Sequence, residues 1–164
     1  MNPLPERPPL LGEEKLAEPL DRLLQAAAPR AIVAGWATVD LDRAQAELAS
    51  RSGMHAVPAD APPDSHLGAR ARTVSHGNGS DGSGSPPPAL ILLEPSTEGL
   101  LAGALARHGE GYVALYLLVD RGAAERVRGA GFALTPERAG PLGPQRLVRT
   151  SSRAGPFVVL VTPS

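Results

Sequence analysis

Runs of apolar residues alternate with amphipathic stretches along the chain, and this alternation predicts short strands and helices. Leucines at helical spacing predict a helix over residues 13–28, and a strand over 30–39 follows it. Further strands are predicted at residues 69–76, 89–94, 112–119, 132–134, 145–151 and 156–161. Further helices are predicted at residues 41–53, 97–109 and 121–131. The Pro-rich residues 57–64 predict a loop.

A strand, a helix and further strands follow one another in the same order twice, which is typical of two modules that share one sheet. We therefore predict an α+β fold in which two tandem βαβββ modules form a curved sheet or barrel. Module one covers residues 30–95, a linker helix covers 97–109, and module two covers 111–162. Residues 1–29 are predicted to be an extension with an extra N-terminal helix, and 77–88 to be a flexible insertion.

The composition narrows the classes of partner. Of the 164 residues 42% are hydrophobic, but only two Phe, two Tyr and one Trp contribute aromatic rings. Few rings and a net charge of -1 argue against nucleic-acid binding. No apolar run reaches the about 18 residues of a membrane helix, and the N-terminal residues lack the pattern of a signal peptide. The chain has no Cys, which fits a reducing compartment, so we expect a cytoplasmic protein. From the charge, the few rings and the lack of a long apolar run, we expect no nucleic-acid or membrane partner.

Short strings of residues add information about the family. The string LLEP at residues 92–95 precedes a predicted helix, and HGEG at 108–111 leads into a predicted strand. Two longer stretches accompany them, IVAGWATVDLDRAQAEL at 32–48 and LGPQRLVRTSSRAGPFVVLV at 142–161. Together these stretches resemble the vicinal oxygen chelate superfamily, and in particular its methylmalonyl-CoA epimerase and glyoxalase branch, over residues 30–162.

The resemblance implies a metal site that this sequence does not reproduce. In that branch, inward-facing side chains of both modules bind a divalent ion, which polarises an oxyanion of the substrate. The matching positions here are Val33, Ile91, Ala114 and Leu160, and their immediate neighbours also lack ligand atoms. Because aliphatic side chains cannot coordinate a cation, we predict no metal, no other cofactor and an apolar pocket. The alternative is an inner face filled by side chains, with no ligand.

Two phenols, three guanidiniums and one amide are candidates for ligand binding. The phenols are in phase with Ala114 on one strand, which would place both on the inner side. Arg70 and Arg72 share one strand face, and so do Gln145 and Arg149, because side chains an even number of residues apart point to the same side of a strand. Either pair could bind a carboxylate or phosphate if its face turned inward. These candidates are Tyr112, Tyr116, Arg70, Arg72, Gln145 and Arg149. The competing interpretation for the phenols is that they pack in the core. For the arginines it is that they face outward to solvent. The sequence leaves both open.

Three functions are compatible with these observations. The favoured one is a metal-independent protein that binds a small organic molecule in an apolar cavity, for sequestration, resistance or a step of a natural-product pathway. The alternative is a metal-dependent epimerase, isomerase or lyase of the methylmalonyl-CoA epimerase or glyoxalase type. It would need ligands such as His55, His66, His76 or Glu94, although the sequence predicts solvated loop histidines. The third is a non-catalytic scaffold, and a homodimer is compatible with all three.

Overall fold

The computed structural model describes residues 6–16, 20–52, 56–76, 87–96, 98–150 and 152–162. Most of the predicted insertion, a part of the predicted N-terminal helix and His55 lie outside these ranges. Within them the chain forms four α-helices and a mixed sheet of nine strands. None of the helices in these ranges has the length and apolar character needed to cross a membrane.

The helices and strands follow the predicted order closely. The strands are β1 (Ala31–Ala37), β2 (Ala56–Asp64), β3 (Ala69–His76), β4 (Leu90–Pro95), β5 (Gly111–Leu118), β6 (Ala133–Leu134), β7 (Arg138–Gly140), β8 (Gly143–Arg149) and β9 (Phe157–Val161). The helices are α1 (Leu20–Ala27), α2 (Leu41–Ser52), α3 (Leu100–His108) and α4 (Ala123–Gly129). A 3₁₀ turn at Glu13–Lys15 precedes α1.

The sheet has two similar halves. Its strand order is β2-β3-β4-β1-β5-β9-β8-β6, and β7 pairs with β8. In the middle β1 and β5 are antiparallel, whereas β1 with β4 and β5 with β9 are parallel pairs. Each module therefore contributes one half, arranged in the same way on either side of the β1–β5 junction. The predicted α+β fold is confirmed, with a curved sheet that does not close into a barrel in the described residues.

The Pro-rich stretch 57–64 belongs to strand β2 and is not the predicted loop. β2 lies at the edge of the sheet, where β3 is its neighbour. Proline has no N–H to donate, so an edge strand tolerates it where a central strand would not. The short strand β7 is also missing from the prediction, because three residues show too little periodicity to be recognised.

Different helices pack against the two faces of the sheet. The inner face is covered by α3, from which Leu101 and Ala104 are buried against the sheet. The outer face is covered by α1 and α4 over module two and by α2 over module one. The inner face consists of alternate residues of the central strands, including Val33, Ala37, Ile91, Leu93, Ala114, Tyr116, Leu147, Phe157, Val159 and Val161.

Helix α1 belongs to the core although it precedes both modules. Arg126 of α4 donates to the carbonyls of Ala26 at 3.1 Å and Ala27 at 3.0 Å, which would otherwise lack partners at the end of α1. The residues of α1 that are buried against the outer face are Leu20, Leu23, Leu24 and Ala27.

Leu23→Ala is expected to lower the free energy of unfolding by about 2–5 kcal/mol, because it leaves a cavity at a buried site. Leu23 is 1% exposed. The control Gln25→Ala changes an exposed residue of the same helix and should have an effect within about 0.5 kcal/mol. Urea denaturation followed by circular dichroism measures both variants. Equal and small effects would mean that α1 does not stabilise the fold.

Candidate functional site

The inner face offers hydrocarbon where the resemblance implies metal ligands. Val33, Ile91 and Ala114 lie on this face and are buried. Leu160 lies on the outer face, so the expectation that it faces inward is wrong, and its neighbour Val159 takes the inner position. Val159 is also aliphatic, so the inner position still has no atom that could bind a metal ion. Because aliphatic side chains have no donor atoms, these positions do not fit a divalent ion.

Side chains fill the space above the central strands. The ring of Tyr116 lies over Gly35, where a Cβ would be 3.1 Å from Cε2 of the ring. Leu67 of the β2–β3 turn and Leu101 of α3 belong to the same buried cluster. The N–H of Leu101 donates to the carbonyl of Leu67 at 3.0 Å, so α3 begins directly against this turn. The predicted apolar lining is present, and around these residues it is a packed core.

One buried hydrogen bond crosses the inner face. The hydroxyl of Tyr116 in β5 donates to Oδ2 of Asp64 at the end of β2, at 2.7 Å, and both residues are 0% exposed. Oδ1 of Asp64 accepts the backbone N–H groups of His66 and Leu67, each at 3.0 Å. These donors compensate the carboxylate for its lost water. The bond therefore joins the two modules at a site shielded from solvent.

The same burial determines the protonation of Tyr116. Burial, followed by the negative charge of Asp64 and the hydrogen bond to it, raises the pKa of the Tyr116 phenol well above its ordinary value of 10.0. The phenol is therefore a hydrogen-bond donor over the whole physiological range. It is not accessible as an acid or base for a substrate, because its hydroxyl is enclosed and bound to Asp64.

His66 forms a second contact between the modules. Its Nε2 donates to the carbonyl of Pro136 at 3.1 Å. Because a carbonyl oxygen only accepts, Nε2 carries the proton, and Nδ1 accepts from Nε2 of Gln145 at 3.3 Å. Beside it, Ser65 Oγ donates to the carbonyl of Ala139 at 3.0 Å. His66 is therefore half-buried and bonded, which corrects the prediction of a solvated loop histidine.

The amide of Gln145 is satisfied at one end only. The residue is 0% exposed, and its Oε1 has no hydrogen-bond partner among the described residues. Oε1 lies against Gly140 of β7, where an added Cβ would overlap with it. Gln145, a predicted ligand-binding residue, is thus enclosed between His66 and Gly140, and a side chain at position 140 would displace its amide.

An open cleft, which we name the mouth cleft, lies at the end of module two beside the packed inner face. Its volume is about 350 Å³, and its apolar part includes Leu100, Leu147 and Phe157. Arg149 and Arg153 also line it, and neither guanidinium has an ion-pair or hydrogen-bond partner within the part of the chain that the structure describes. The remaining lining residues are Thr135, Val148, Thr150 and Ser152. Among the predicted candidates, Arg149 is the one in this cleft.

Tyr112 faces the opposite side from Tyr116, so the expectation that both phenols point inward is wrong. Gly35 pairs with Ala114 and the next residue, Trp36, pairs with Tyr112, which leaves Val113 as an extra residue in β5. Such a bulge reverses the side on which the preceding residues point. The rings of Tyr112 and Trp36 meet edge to face at 4.9 Å near α2.

Arg70 and Arg72 also lie on the outer side. Arg70 donates to Oε1 of Glu94 at 2.9 Å, while Oε2 of Glu94 accepts the N–H of Leu41 at the start of α2. Arg72 donates to Asp42 of α2 at 2.9 Å, and this hydrogen bond is the largest cause that raises the pKa of the guanidinium. Both arginines thus attach module one's sheet to α2, as in the competing interpretation of outward-facing charges.

Three residues that contribute to the inner face or the mouth cleft are not among the candidates predicted from the sequence. Asp64 begins the segment DSHLG, a composition typical of a turn in which an Asp side chain accepts backbone N–H groups, and this signal could have identified it. Thr135 and Arg153 carry no comparable local signal. They reach the mouth cleft through the packing of separate segments.

No protein-family description and no curated protein matches the sequence. Solved structures do match. A variant of the Streptomyces coelicolor methylmalonyl-CoA epimerase in complex with 2-nitronate-propionyl-CoA has a TM-score of 0.65 and 24% identity, over 83% of this chain and 96% of that chain. The Mycobacterium tuberculosis methylmalonyl-CoA epimerase has a TM-score of 0.62 and 23% identity, over 83% and 89%. A hypothetical protein from Bacillus halodurans has a TM-score of 0.60 and 14% identity, over 80% and 91%.

This chain has the vicinal oxygen chelate fold. The resemblance seen in short strings of the sequence is thereby confirmed for the fold. At 24% identity or less the likeness shows the fold alone. The chemistry of this chain therefore has to be argued from its own residues.

Tyr116→Phe is expected to lower the free energy of unfolding by about 1–3 kcal/mol, because it leaves Oδ2 of Asp64 buried without its donor. Tyr112→Phe, the matched control, removes a hydroxyl from a half-buried ring and should have a smaller effect. Denaturation at neutral pH compares the two variants. A larger loss in the control would contradict the assigned role of the Tyr116 hydroxyl.

The Tyr112→Phe protein also isolates the ionisation of Tyr116. The raised pKa means that the folded state keeps a proton that the unfolded state loses at about pH 10. The contribution of Tyr116 to stability is thus complete below about pH 10 and is lost as the pH rises towards the folded-state pKa. Phenolate absorbance should therefore appear together with unfolding. Its appearance at pH 10 in the folded protein would contradict this prediction.

Gly140→Ala is expected to destabilise the protein by about 1–3 kcal/mol, because the new methyl group overlaps with the Gln145 amide. Adding Gln145→Ala should remove much of this penalty, so the double-mutant cycle should show coupling. Gly103→Ala is the control, because a Cβ at Gly103 in α3 would have no neighbour within 4 Å. Chemical denaturation measures the unaltered protein, both single variants, the double variant and the control. Strictly additive effects would contradict the contact between Gly140 and Gln145.

Proposed function

We propose that this vicinal oxygen chelate protein binds a small organic anion in the mouth cleft without a metal ion. The supporting observation is the pair of guanidiniums, Arg149 and Arg153, that line an apolar cleft without a carboxylate partner among the described residues. Some other surface arginines are paired, as Arg70 is with Glu94 and Arg126 with Asp120, so it is the position of Arg149 and Arg153 in a cleft that distinguishes them from exposed arginines such as Arg121. Unpaired cations beside hydrocarbon favour a ligand that supplies both the charge and the apolar surface.

The lining explains which chemistry such a ligand would have. The side chains of Leu100, Leu147 and Phe157 would contact a hydrocarbon body. A guanidinium binds a carboxylate through two parallel hydrogen bonds, and Arg149 and Arg153 both line the cleft. Ligand sites commonly have volumes of about 300–1,000 Å³. The mouth cleft, at about 350 Å³, is at the small end of this range and suits a compact acid.

The proposed biological role is sequestration, resistance or a metal-free step in a natural-product pathway. The absence of fitting ligands at the inner face favours binding over Lewis-acid chemistry, since hydrocarbon cannot hold an ion there. A homodimer stays a prediction for this protein. The scaffold function also stays a prediction. The packed inner face would favour it if no small molecule raised the melting temperature of the protein.

A metal-dependent epimerase is the second candidate, because solved structures with this fold include methylmalonyl-CoA epimerases. It would need donors such as His66 and Glu94. His66 bonds to Pro136 and Gln145, and Glu94 bonds to Arg70 at the outer face. Recruiting either residue as a ligand would break these bonds, so we rank this function second.

The proposal predicts that hexanoate binds the purified protein and that Arg149→Gln weakens the binding by about tenfold or more, since a charged hydrogen bond is lost. Isothermal titration calorimetry measures the affinity. Arg121→Gln, at an exposed position before α4, is the matched control and should leave it unchanged. Hexanol, which has the same chain without the charge, should bind much more weakly than hexanoate.

A second set of measurements separates the two candidate functions. Hexanoate binding should be the same with and without a chelator. Methylmalonyl-CoA in deuterium oxide should keep its α-proton when the protein is added with Mg²⁺ or Co²⁺, as followed by NMR. Metal-dependent exchange of that proton would support the epimerase, and an Arg149→Gln variant that binds hexanoate normally would refute the mouth cleft as the site.

A further inference from the structure

A small crevice, which we name the helix crevice, lies between helix α2 and the outer face of the sheet. Its volume is about 160 Å³. Strands β1, β4 and β5 form its floor, and α2 forms its roof. Its described residues are all different from those of the mouth cleft. The apolar part of its lining consists of Trp36, Ala44, Leu48, Leu90, Leu92 and Tyr112.

A β-bulge creates the aromatic wall of the helix crevice. Val113 is an extra residue in β5, which turns Tyr112 to the outer face. Without it, Tyr112 would lie on the same side as Ala114, at the inner face. Bulges often occur beside functional sites, where they redirect a side chain. This bulge brings the Tyr112 ring to Trp36, edge to face, with an angle of 86° between the ring planes.

Helix α2 leaves the space above these rings open because its side chains there are short or only partly buried. The residues of α2 that pack on the outer face are Leu41, Ala44 and Leu48. Ala44 is buried but has only a methyl group, and Leu48 is half-buried. Close-packed interiors keep few spaces larger than a water molecule. The crevice under α2 is therefore an exception to close packing that is open to a ligand.

The size and the charge of the helix crevice indicate one class of ligand. An apolar cavity of about 150 Å³ is large enough for benzene, so the crevice suits a single ring. Glu47 and Arg51 also line it, and these exposed side chains carry opposite charges that favour neither a cation nor an anion. The Tyr112 hydroxyl and the Trp36 indole N–H have no hydrogen-bond partner among the described residues, so both can bond to a polar substituent of the ring.

We infer that the helix crevice binds a neutral molecule with one aromatic ring, such as a phenol. This inference is independent of the proposed function, because the two sites share no described residue. Aromatic rings prefer edge-to-face or offset-stacked neighbours, so the ring of the ligand joins the Trp36–Tyr112 pair as a third member. The buried side chains of Leu90 and Leu92 supply hydrocarbon contacts from the floor.

Trp36 is the one tryptophan of the chain, so its indole N–H is a specific reporter of the helix crevice. Titration of the full chain with phenol should shift this resonance in proton–nitrogen NMR spectra and reach saturation at millimolar concentrations. Cyclohexanol has a ring of similar size without aromatic character, so it should bind several-fold more weakly.

Ala44→Leu should abolish the phenol-dependent shift, because the larger side chain fills the space under α2. Ala46→Leu is the matched control, since it makes the same change at an exposed position of the same helix, and it should bind phenol like the unaltered protein. Circular dichroism verifies the fold of each variant. If Ala44→Leu does not fold, Leu48→Phe fills the crevice from a half-buried position.

Three results would overturn the inference. The first is an unchanged Trp36 resonance at millimolar phenol, or a shift of equal size in the folded variants with a filled crevice. The second is equal affinity for phenol and cyclohexanol, which would mean that the crevice does not select an aromatic ring. The third is a Trp36 resonance that moves with protein concentration alone, which would indicate that a second copy of the chain occupies the crevice.

Discussion

The hydrogen bond from Tyr116 to Asp64 is the constraint that shapes the inner face. A buried phenol needs an acceptor and a buried carboxylate needs donors, so each group requires the other once both are removed from water. To bring Asp64 to the phenol, the β2–β3 turn must fold over the central strands, which carries Leu67 with it. Helix α3 begins against that turn, and its side chains complete the packed core. The mouth cleft lies outside this packed region, at the end of module two.

The elements with regular periodicity could be predicted from the sequence, whereas features that depend on distant segments could not. Strands such as β5 and β9 have long apolar runs, and their positions are close to the prediction. The extra residue at Val113 leaves no local signal, so strand alternation alone places Tyr112 on the wrong face. Asp64 and Tyr116 are 52 residues apart, and neither neighbourhood indicates the other. The prolines of β2 are acceptable only because that strand is at an edge, which depends on the whole sheet.

Pairing with a carboxylate identifies the structural arginines, and position in a cleft identifies the candidate binding residues. Arg70 and Arg72 share a strand face as predicted, but carboxylates of module one already occupy both of them. Arg149 and Arg153 have no such partner in the described chain and lie at a cleft. Alternation along β3 places Arg70 and Arg72 on one face, but it does not indicate their carboxylate partners, which come from β4 and α2. The structure is therefore more informative than the sequence about which guanidiniums are available to a ligand.

Hydrocarbon at the inner face also changes how the two modules are held together. An ion bound by ligands from both modules would link them, as the resemblance to the epimerases implies. Here the modules are linked by the β1–β5 pairing, by the Tyr116–Asp64 bond and by the contacts of His66 with Pro136 and Gln145. Because these links need no ion, aliphatic residues can occupy the inner face without separating the modules. The fold then persists without metal ligands, and binding is left to the open spaces outside the packed inner face.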